Sequence, residues 1–216
     1  MTTKDINQYK KTVYDLGNGV LYQMCADNFK HDTVDKILAK TVIIGRTYAA
    51  SLDRGRDKNK SEQSRKAIND DFYQKQIVPI FLNSELDAIL KSLLKYKSAK
   101  AGMQQALEAH GYLTKKLHKI NKQNKRSFSS KYLHFHLPNL FFLYDTRAKA
   151  ALSKLVKLRF VHSSINKKID SEYFSFYQKS LYLQEQILKK TGTLLTPRQL
   201  DNYLLNISNE NLRSLK

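Results

Sequence analysis

Apolar residues recur along the chain at spacings of three and four, which is the periodicity of helices that bury one face. The clearest stripe follows Asp32 and includes Val34, Ile37, Thr41 and Leu52. Stripes of this kind predict helices over residues 5–16, 20–26, 32–52, 62–77, 84–94, 103–122, 145–160, 171–192 and 197–207. Only residues 137–143 have the pattern of a short extended segment. The predicted fold class is therefore all-α, a multi-helix globular fold.

Helix-breaking and helix-capping residues set the predicted boundaries. The Gly17-Asn18-Gly19 sequence ends the first helix, Pro79 ends the fourth, and Thr196-Pro197 opens the last. The polar stretch 55–64 lacks any period and is predicted to be a surface loop. We expect one helical domain, residues 1–216, made of two packed lobes at 1–108 and 109–216.

Composition places the chain among globular proteins. Hydrophobic residues make up 41% of 216, and only 7 Gly and 3 Pro interrupt them. The longest apolar runs are too short to cross a bilayer, so we expect no membrane association. The single cysteine, Cys25, excludes an internal disulfide, a four-cysteine zinc site and a cysteine-ligated iron–sulfur cluster, and favours the cytoplasm. No cofactor is expected.

Positive charge is concentrated in one part of the chain. The formal net charge is +19, and residues 109–169 contain 14 Lys and Arg against one carboxylate, Asp145. Such a density favours binding to phosphates, and the alternative is a solvated basic face. The charge by itself predicts a nucleic acid, DNA or RNA, as the partner. The predicted contacts are Lys115, Lys119, Lys122, Lys125, Arg126, Ser129, Ser130, Arg147 and Lys149.

Asp145 has two interpretations that are compatible with each other. It precedes Thr-Arg-Ala-Lys-Ala-Ala-Leu, where its carboxylate would cap a helix. An anion on a phosphate-binding surface opposes binding, however. Its presence is easier to explain if it meets a positive charge that develops during a reaction, such as the charge on a sugar that loses its base.

The segment Ser127 to Ala151, SFSSKYLHFHLPNLFFLYDTRAKAA, resembles the active-site stretch of the helix-hairpin-helix DNA glycosylases. In that family a helix bearing a Lys or its substitute is followed by an apolar segment and a catalytic Asp at a helix start. Lys131 and Asp145 match these places in order. The glycine-rich hairpin and the iron–sulfur cysteines of the family are absent, and the Lys-to-Asp interval of 14 residues is short for it. The segments IIGRTYAASLDR and SSKYLHFH are also similar to small bacterial defence glycosylases that act on modified phage bases.

The resemblance implies that the partner is double-stranded DNA. It also implies an enzyme that flips a nucleotide out of the duplex and cuts its N-glycosidic bond. Asp145 would stabilise the sugar cation and orient water. Lys131 would either form a Schiff base and nick the strand or contact phosphate and leave an intact abasic site, and we favour the second. The damaged or modified base, such as a modified phage base, would bind in a pocket lined by cationic and aromatic side chains. These are Arg46, Tyr48, His134, His136 and Tyr144, for each of which a core or surface role is the alternative.

Two other classes compete with a glycosylase. A non-enzymatic nucleic-acid-binding protein would use the basic stretch alone, with Asp145 as a cap. A metal-dependent nuclease needs clustered carboxylates, for which only the Asp53/Asp57 and Asp70/Asp71 pairs are candidates. A zinc site at His134 and His136 is disfavoured because neither Cys nor a second carboxylate stands near them in sequence. No metal is therefore expected.

Overall fold

The computed structural model describes residues 13–53, 71–160 and 167–213, and these ranges are helical without any strand. The all-α prediction is confirmed. Nine α-helices and one π-helical turn, Tyr73–Ile77, make up the described part. The α-helices are α1 Val13–Asp27, α2 Val34–Thr47, α3 Val78–Leu82, α4 Leu86–Leu93, α5 Met103–Asn121, α6 Arg126–His136, α7 Thr146–Leu155, α8 Ser171–Thr191 and α9 Pro197–Arg213.

Helix α6 lies at the centre of the fold. Every residue from Phe128 to His136 is buried, and α1, α2 and α5 all pack against this helix. The largest rings of α6, Phe128, Tyr132 and Phe135, fill the space between those neighbours. A helix buried on all sides has no solvent face, so its polar residues must find partners inside the protein.

Helix α7 packs between α8 and α9 on the other side of the core. One continuous cluster of buried side chains joins both halves of the chain, from Leu21 in α1 to Leu204 in α9. Residue 108, the predicted lobe boundary, falls inside α5. None of the helices in the described ranges is long and apolar enough to cross a membrane.

The prediction of a helix break at Gly17 and Gly19 is wrong. Helix α1 runs through both glycines, and a Cβ built on either would meet no atom within 4 Å. Both lie on the outer side of the helix, where glycine costs only about 1 kcal/mol of helix propensity. Burial of Leu21 and Cys25 in the same helix offsets that cost. Residues 1–12, which include the start of the first predicted helix, lie outside the described ranges.

Helix α2 ends at Thr47, five residues before the predicted end. The Ala50 N–H donates to the Gly45 carbonyl at 2.7 Å and the Ala49 N–H to that of Arg46 at 3.2 Å, which together form a Schellman motif. Ala49 takes the left-handed conformation, with φ of 51°. Glycine normally fills that position, so the alanine gives no sign of a helix end.

Pro79 does not end the helix before it, which corrects another prediction. The Val78 N–H bonds to the carbonyl of Tyr73, five residues back, and this wider turn precedes the proline. Pro79 then lies in the first turn of α3, and the wider turn before it accommodates a residue that has no N–H to donate. The remainder of the predicted 62–77 helix and the predicted 55–64 loop lie outside the described residues, as do Asp57 and Asp70.

The helices of the C-terminal half differ from prediction mainly at their ends. Helix α7 stops at Leu155 because Val156 adopts an extended conformation, φ −116° and ψ 101°, which buries its side chain in the core. Helix α8 ends as predicted, at Gly192 with φ of 72°. Helix α9 continues beyond the predicted residue 207 to Arg213.

Candidate functional site around Asp145

A buried irregular segment, residues 140–144, carries the chain from the end of α6 to Asp145. Leu140, Phe141, Phe142 and Leu143 are at most 2% exposed, so this segment crosses the core. Its residues have no helical or sheet hydrogen bonds of their own. Buried backbone groups require partners, and here side chains supply them. The predicted extended segment 137–143 is therefore a turn followed by irregular backbone.

Two pairs of residues, each spaced by four along a helix, hold this segment in place. On α6, the Ser130 hydroxyl accepts from the Tyr144 N–H at 3.0 Å and the His134 ring bonds the Phe141 carbonyl at 2.8 Å. On α8, the hydroxyls of Tyr173 and Tyr177 donate to the carbonyls of Phe142 and Leu140, at 2.9 and 2.6 Å. The position of Asp145 is thus fixed from two sides.

Asp145 is the N-cap of α7, as predicted. Its backbone is extended, with φ −148° and ψ 170°, and its Oδ1 accepts from the Ala148 N–H at 2.8 Å. The cap uses one carboxylate oxygen. The side chain is 27% exposed, so the group is also reachable from outside.

Lys131 projects from α6 towards the other oxygen of this carboxylate. Its Nζ lies 4.0 Å from Asp145 Oδ2, donates to Ser127 Oγ at 2.9 Å and to the Tyr48 carbonyl at 3.4 Å, and sits 5.7 Å from the centre of the Tyr48 ring. Its side chain is only 4% exposed. The prediction that Lys131 contacts phosphate is therefore corrected, because its amine is engaged inside the protein.

A second carboxylate, Asp201 on α9, lies in the same cluster. It is buried, its Oδ2 accepts from Arg198 Nη1 at 2.8 Å, and the Arg198 guanidinium lies 5.9 Å from the centre of the Tyr48 ring. Burial raises the pKa of Asp201 to about 7, against the opposing charges of Arg198 and Lys131 and with the added negative charge of Asp145. Two carboxyl groups and two cations thus meet around Tyr48.

The site therefore combines a reachable capped carboxylate, a buried ammonium and a buried carboxyl group. Comparison with protein-family models, curated proteins and solved structures finds no match for this chain. What the site can do follows from the chemistry of its side chains. A carboxylate beside a partly exposed helix N-terminus can stabilise a cation or accept a proton from water.

The basis for finding Asp201 and Arg198 from sequence was present but weak. Asp201 follows Leu200 and precedes Leu204, both buried, so it stands on the apolar stripe of the last helix. A carboxylate on such a stripe indicates a buried charge, and Arg198 three residues earlier is its natural partner. Nothing in the sequence links this pair to Asp145.

Two of the predicted base-pocket residues are core residues instead. His134 is fully buried, and its Nδ1–H donates to the Phe141 carbonyl while its Nε2 accepts from the Tyr22 hydroxyl at 2.7 Å. Burial lowers the pKa of His134 to about 3, so the ring is neutral and holds this tautomer. His136 is buried too, stacked on His31, and burial puts its pKa well below the usual value. Both predictions are corrected because α6 has no exposed side.

The other predicted pocket residues occupy different places. Tyr48 is half-buried and belongs to the Lys131 cluster, where its hydroxyl donates to the Asn18 side-chain carbonyl. Arg46 is exposed at the end of α2. Tyr144 is half-buried and donates to Glu172. The structure therefore brings Tyr48 together with Lys131 and Asp145. Tyr144 directly precedes Asp145 in the chain.

The predicted phosphate contacts divide into exposed, ion-paired and buried groups. Lys115, Lys119, Lys122, Arg147 and Lys149 are exposed, and Lys125 and Arg126 are partly so. By contrast, Ser129 and Ser130 are fully buried. The prediction that these two serines contact phosphate is wrong, because they lie on the central helix and Ser130 binds backbone groups there.

Acidic residues from the start of α8 lie against the basic segment. Arg126 Nε contacts both carboxylate oxygens of Asp170 at 2.8 Å, and its Nη1 lies 2.9 Å from Glu172. Lys149 also bonds Glu172, and that bond with the one from Tyr144 lowers the pKa of Glu172. Asp145 is isolated from other carboxylates in sequence, but among the described residues the fold brings Asp170, Glu172 and Asp201 near its segment.

The described residues contain no group of three or more His, Cys, Asp and Glu side chains that could hold a metal ion. His134 and His136 bond different partners, Phe141 and Tyr132 respectively. Of the predicted nuclease carboxylates, Asp71 pairs with Lys75 on the surface.

Proposed function

We propose that the chain is a DNA glycosylase of the helix-hairpin-helix type, which removes a damaged or modified base, such as a modified phage base, from double-stranded DNA. The observation that carries this proposal is the Lys131–Asp145 pair, 4.0 Å apart at the N-terminus of α7. The resemblance of residues 127–151 to the active-site stretch of that family names the same two residues. The departures from the family, above all the missing hairpin, leave the grip on phosphate to the exposed lysines and arginines.

In the proposed reaction Asp145 acts on the sugar. The bond between C1′ and the base nitrogen breaks, and its electron pair leaves with the base. The carboxylate, which caps α7 through Oδ1 and is 27% exposed, stabilises the positive charge that develops on the sugar. Water then bonds C1′ and passes a proton through Asp145 to the departing base. The product is an abasic site.

Lys131 favours an abasic site over strand cleavage in this proposal. A carboxylate, a carbonyl and a hydroxyl surround its amine and favour the charged ammonium. An ammonium has no lone pair with which to attack C1′. Lys131 would instead hold Asp145 in place.

The exposed cations give the protein a means of binding the duplex. Lys115, Lys119 and Lys122 line one side of α5 and its end, and Arg147 and Lys149 lie in the first turns of α7, next to Asp145. Phosphate contacts of this kind are independent of sequence and weaken as salt rises. We expect binding to fall steeply between low and physiological salt.

The test is a base-release assay on a panel of substrates. Purified protein is incubated with ordinary, damaged and modified phage DNA, and mild alkali then cuts any abasic sites. We expect breaks in at least one substrate, and their loss in Asp145→Asn. Asparagine is as good an N-cap as aspartate, so this variant keeps the helix start and removes only the charge. If no substrate yields breaks above the Asp145→Asn control, the proposal is wrong.

A non-enzymatic nucleic-acid-binding protein is the second candidate. It is favoured by the capping bond from Ala148 to Asp145, which gives this carboxylate a sufficient structural role. Under that alternative the Asp145→Asn variant binds duplex DNA at least as well as the wild type. Neither the wild type nor the variant then releases a base. The two functions are thus separated by one variant and two readouts.

A further inference from the structure

The Tyr48 ring connects two charged pairs that are far apart in the sequence. Lys131 Nζ lies 5.7 Å from the ring centre and Arg198 lies 5.9 Å from it. The backbone carbonyl of the same residue accepts from Lys131. The π electrons of the Tyr48 ring attract both cations. A movement of Arg198 would therefore move the ring and change its contact with Lys131.

Buried polar atoms without a hydrogen-bond partner gather at this place. In the described part of the chain, no donor or acceptor reaches Asp201 Oδ1, Arg198 Nε or Asn18 Nδ2. Arg198 and Asp201 form one ion pair, and Asn18 accepts from the Tyr48 hydroxyl. Buried ion pairs with unsatisfied atoms add little stability and are often replaceable by apolar side chains. Stability alone therefore does not explain their presence in the cluster around Tyr48.

We propose that Arg198 and Asp201 are positioning residues for the Lys131–Asp145 pair: Arg198 fixes Tyr48, and Asp201 supplies a second carboxyl group that shares the charge of Lys131 with Asp145. The catalytic consequence rests on the proposed function. The electrostatic coupling itself does not.

Within the described ranges, the charged and titratable groups that face Asp201 come from five elements. Arg198 lies on its own helix, Lys131 on α6 and Asp145 at the start of α7, and the hydroxyls of Tyr22 and Tyr48 come from α1 and the end of α2. The pKa of Asp201, about 7, makes it neutral in mild acid and anionic in mild base. Ionised, it adds negative charge beside the sugar cation that Asp145 stabilises.

The catalytic test is a pH profile of base release, measured with protein in excess over DNA so that binding does not limit the rate. We expect the wild-type rate to rise about three- to tenfold between pH 6 and pH 8, and the rise to be absent in Asp201→Asn. Asp201→Glu, which keeps the carboxyl group, should restore it. A purely structural role would lower the rate equally at every pH. An Asp201→Asn profile parallel to that of the wild type would overturn the inference.

The coupling is tested without any substrate by carbon-13 NMR of the aspartate carboxyl groups. The Asp201 signal is identified by its loss in Asp201→Asn, and its pKa is then compared in wild type, Asp145→Asn and the exposed control Asp71→Asn. We expect the pKa to fall by about half a pH unit in Asp145→Asn, because a negative charge is removed, and to stay constant in Asp71→Asn. An unchanged pKa in Asp145→Asn would refute the inference. If the wild type releases no base from any substrate, the proposed function fails while this measurement still decides the coupling.

Discussion

Two aspartates begin two helices of this protein in the same way, yet their surroundings differ. Asp145 caps α7 and Asp170 caps α8, each with Oδ1 accepting a backbone N–H at 2.8 Å. Asp170 is 13% exposed, and Arg126 contacts both its oxygens at 2.8 Å. Asp145 is 27% exposed, and its cation, Lys131, stays at 4.0 Å.

The difference shows what distinguishes a structural cap from a candidate catalytic group. The capping bond does not distinguish the two aspartates, because both accept a backbone N–H at 2.8 Å. A closely paired carboxylate has its lone pairs occupied and resists any new partner. One that is loosely paired and partly open can meet a substrate.

The largest expected effect concerns base release by the two matched variants. Asp145→Asn should slow it by about 10²- to 10³-fold, the usual effect of removing one group that stabilises a developing charge. Asp170→Asn removes an equivalent cap carboxylate and should change the rate by less than about threefold. Single-turnover assays on one substrate compare the variants. Equal losses in the two would mean that Asp145 has no special role.

The pH dependence of stability should depend on Asp201. Its pKa is raised from 3.8 to about 7 by burial, so between those values the folded protein holds a proton that the unfolded chain has lost. The free energy of unfolding therefore falls as pH rises through this window, and the full loss is present above about pH 7. Relative to Asp201→Asn, the wild type should lose about 2–4 kcal/mol between pH 4 and pH 8, measured by urea denaturation. Parallel curves would contradict this expectation.

For folding stability, unlike base release, the Asp170 variant should show the larger loss and the Asp145 variant the smaller one. Asp170→Asn breaks a close and largely buried ion pair, and we expect it to cost about 1–3 kcal/mol of unfolding free energy. Asp145→Asn keeps its cap and loses only a distant charge, so the expected cost is below about 1 kcal/mol. Urea denaturation at pH 7 and constant salt gives both values. A larger loss for Asp145→Asn would show that the Lys131 pair is primarily structural.

The smallest effect is expected at the turn that ends α2, in which the Tyr48 carbonyl accepts from Lys131. Ala49 holds the left-handed conformation with φ of 51°, where glycine is favoured. Ala49→Gly should raise the unfolding free energy by up to about 1 kcal/mol and leave base release unchanged. Thermal unfolding and the release assay test the two parts. Destabilisation would mean that the added freedom of the unfolded chain outweighs the relieved strain.

Most of the helices were predictable because each has an apolar stripe, and the starts of α7, α8 and α9 carry capping residues. The Asp145 cap is visible in the sequence, and the family resemblance paired Lys131 with Asp145 across 14 residues. Those features depend on short stretches of chain, in which local rules hold.

The remaining features depend on contacts that no local pattern encodes. Helix α6 looks like a surface helix because it carries Ser129, Ser130, Lys131, His134 and His136, and only the full enclosure by its neighbours makes these residues internal. The sequence therefore predicts DNA contacts for these serines and histidines, and the structure buries them. The Arg198–Asp201 pair comes from a helix more than 50 residues beyond Asp145, and the ends of α2 and α3 depend on an alanine and a proline in unusual roles.

The segment 140–144 constrains how this protein could have diverged. Its carbonyls and N–H groups are bound by the side chains of Ser130, His134, Tyr173 and Tyr177 rather than by a neighbouring strand. Loss of any one of these four leaves a buried backbone group unpaired, so the four should vary together and seldom singly. In a set of homologous sequences they would form a covarying group, and its persistence would mark chains that still deliver an aspartate to the start of α7.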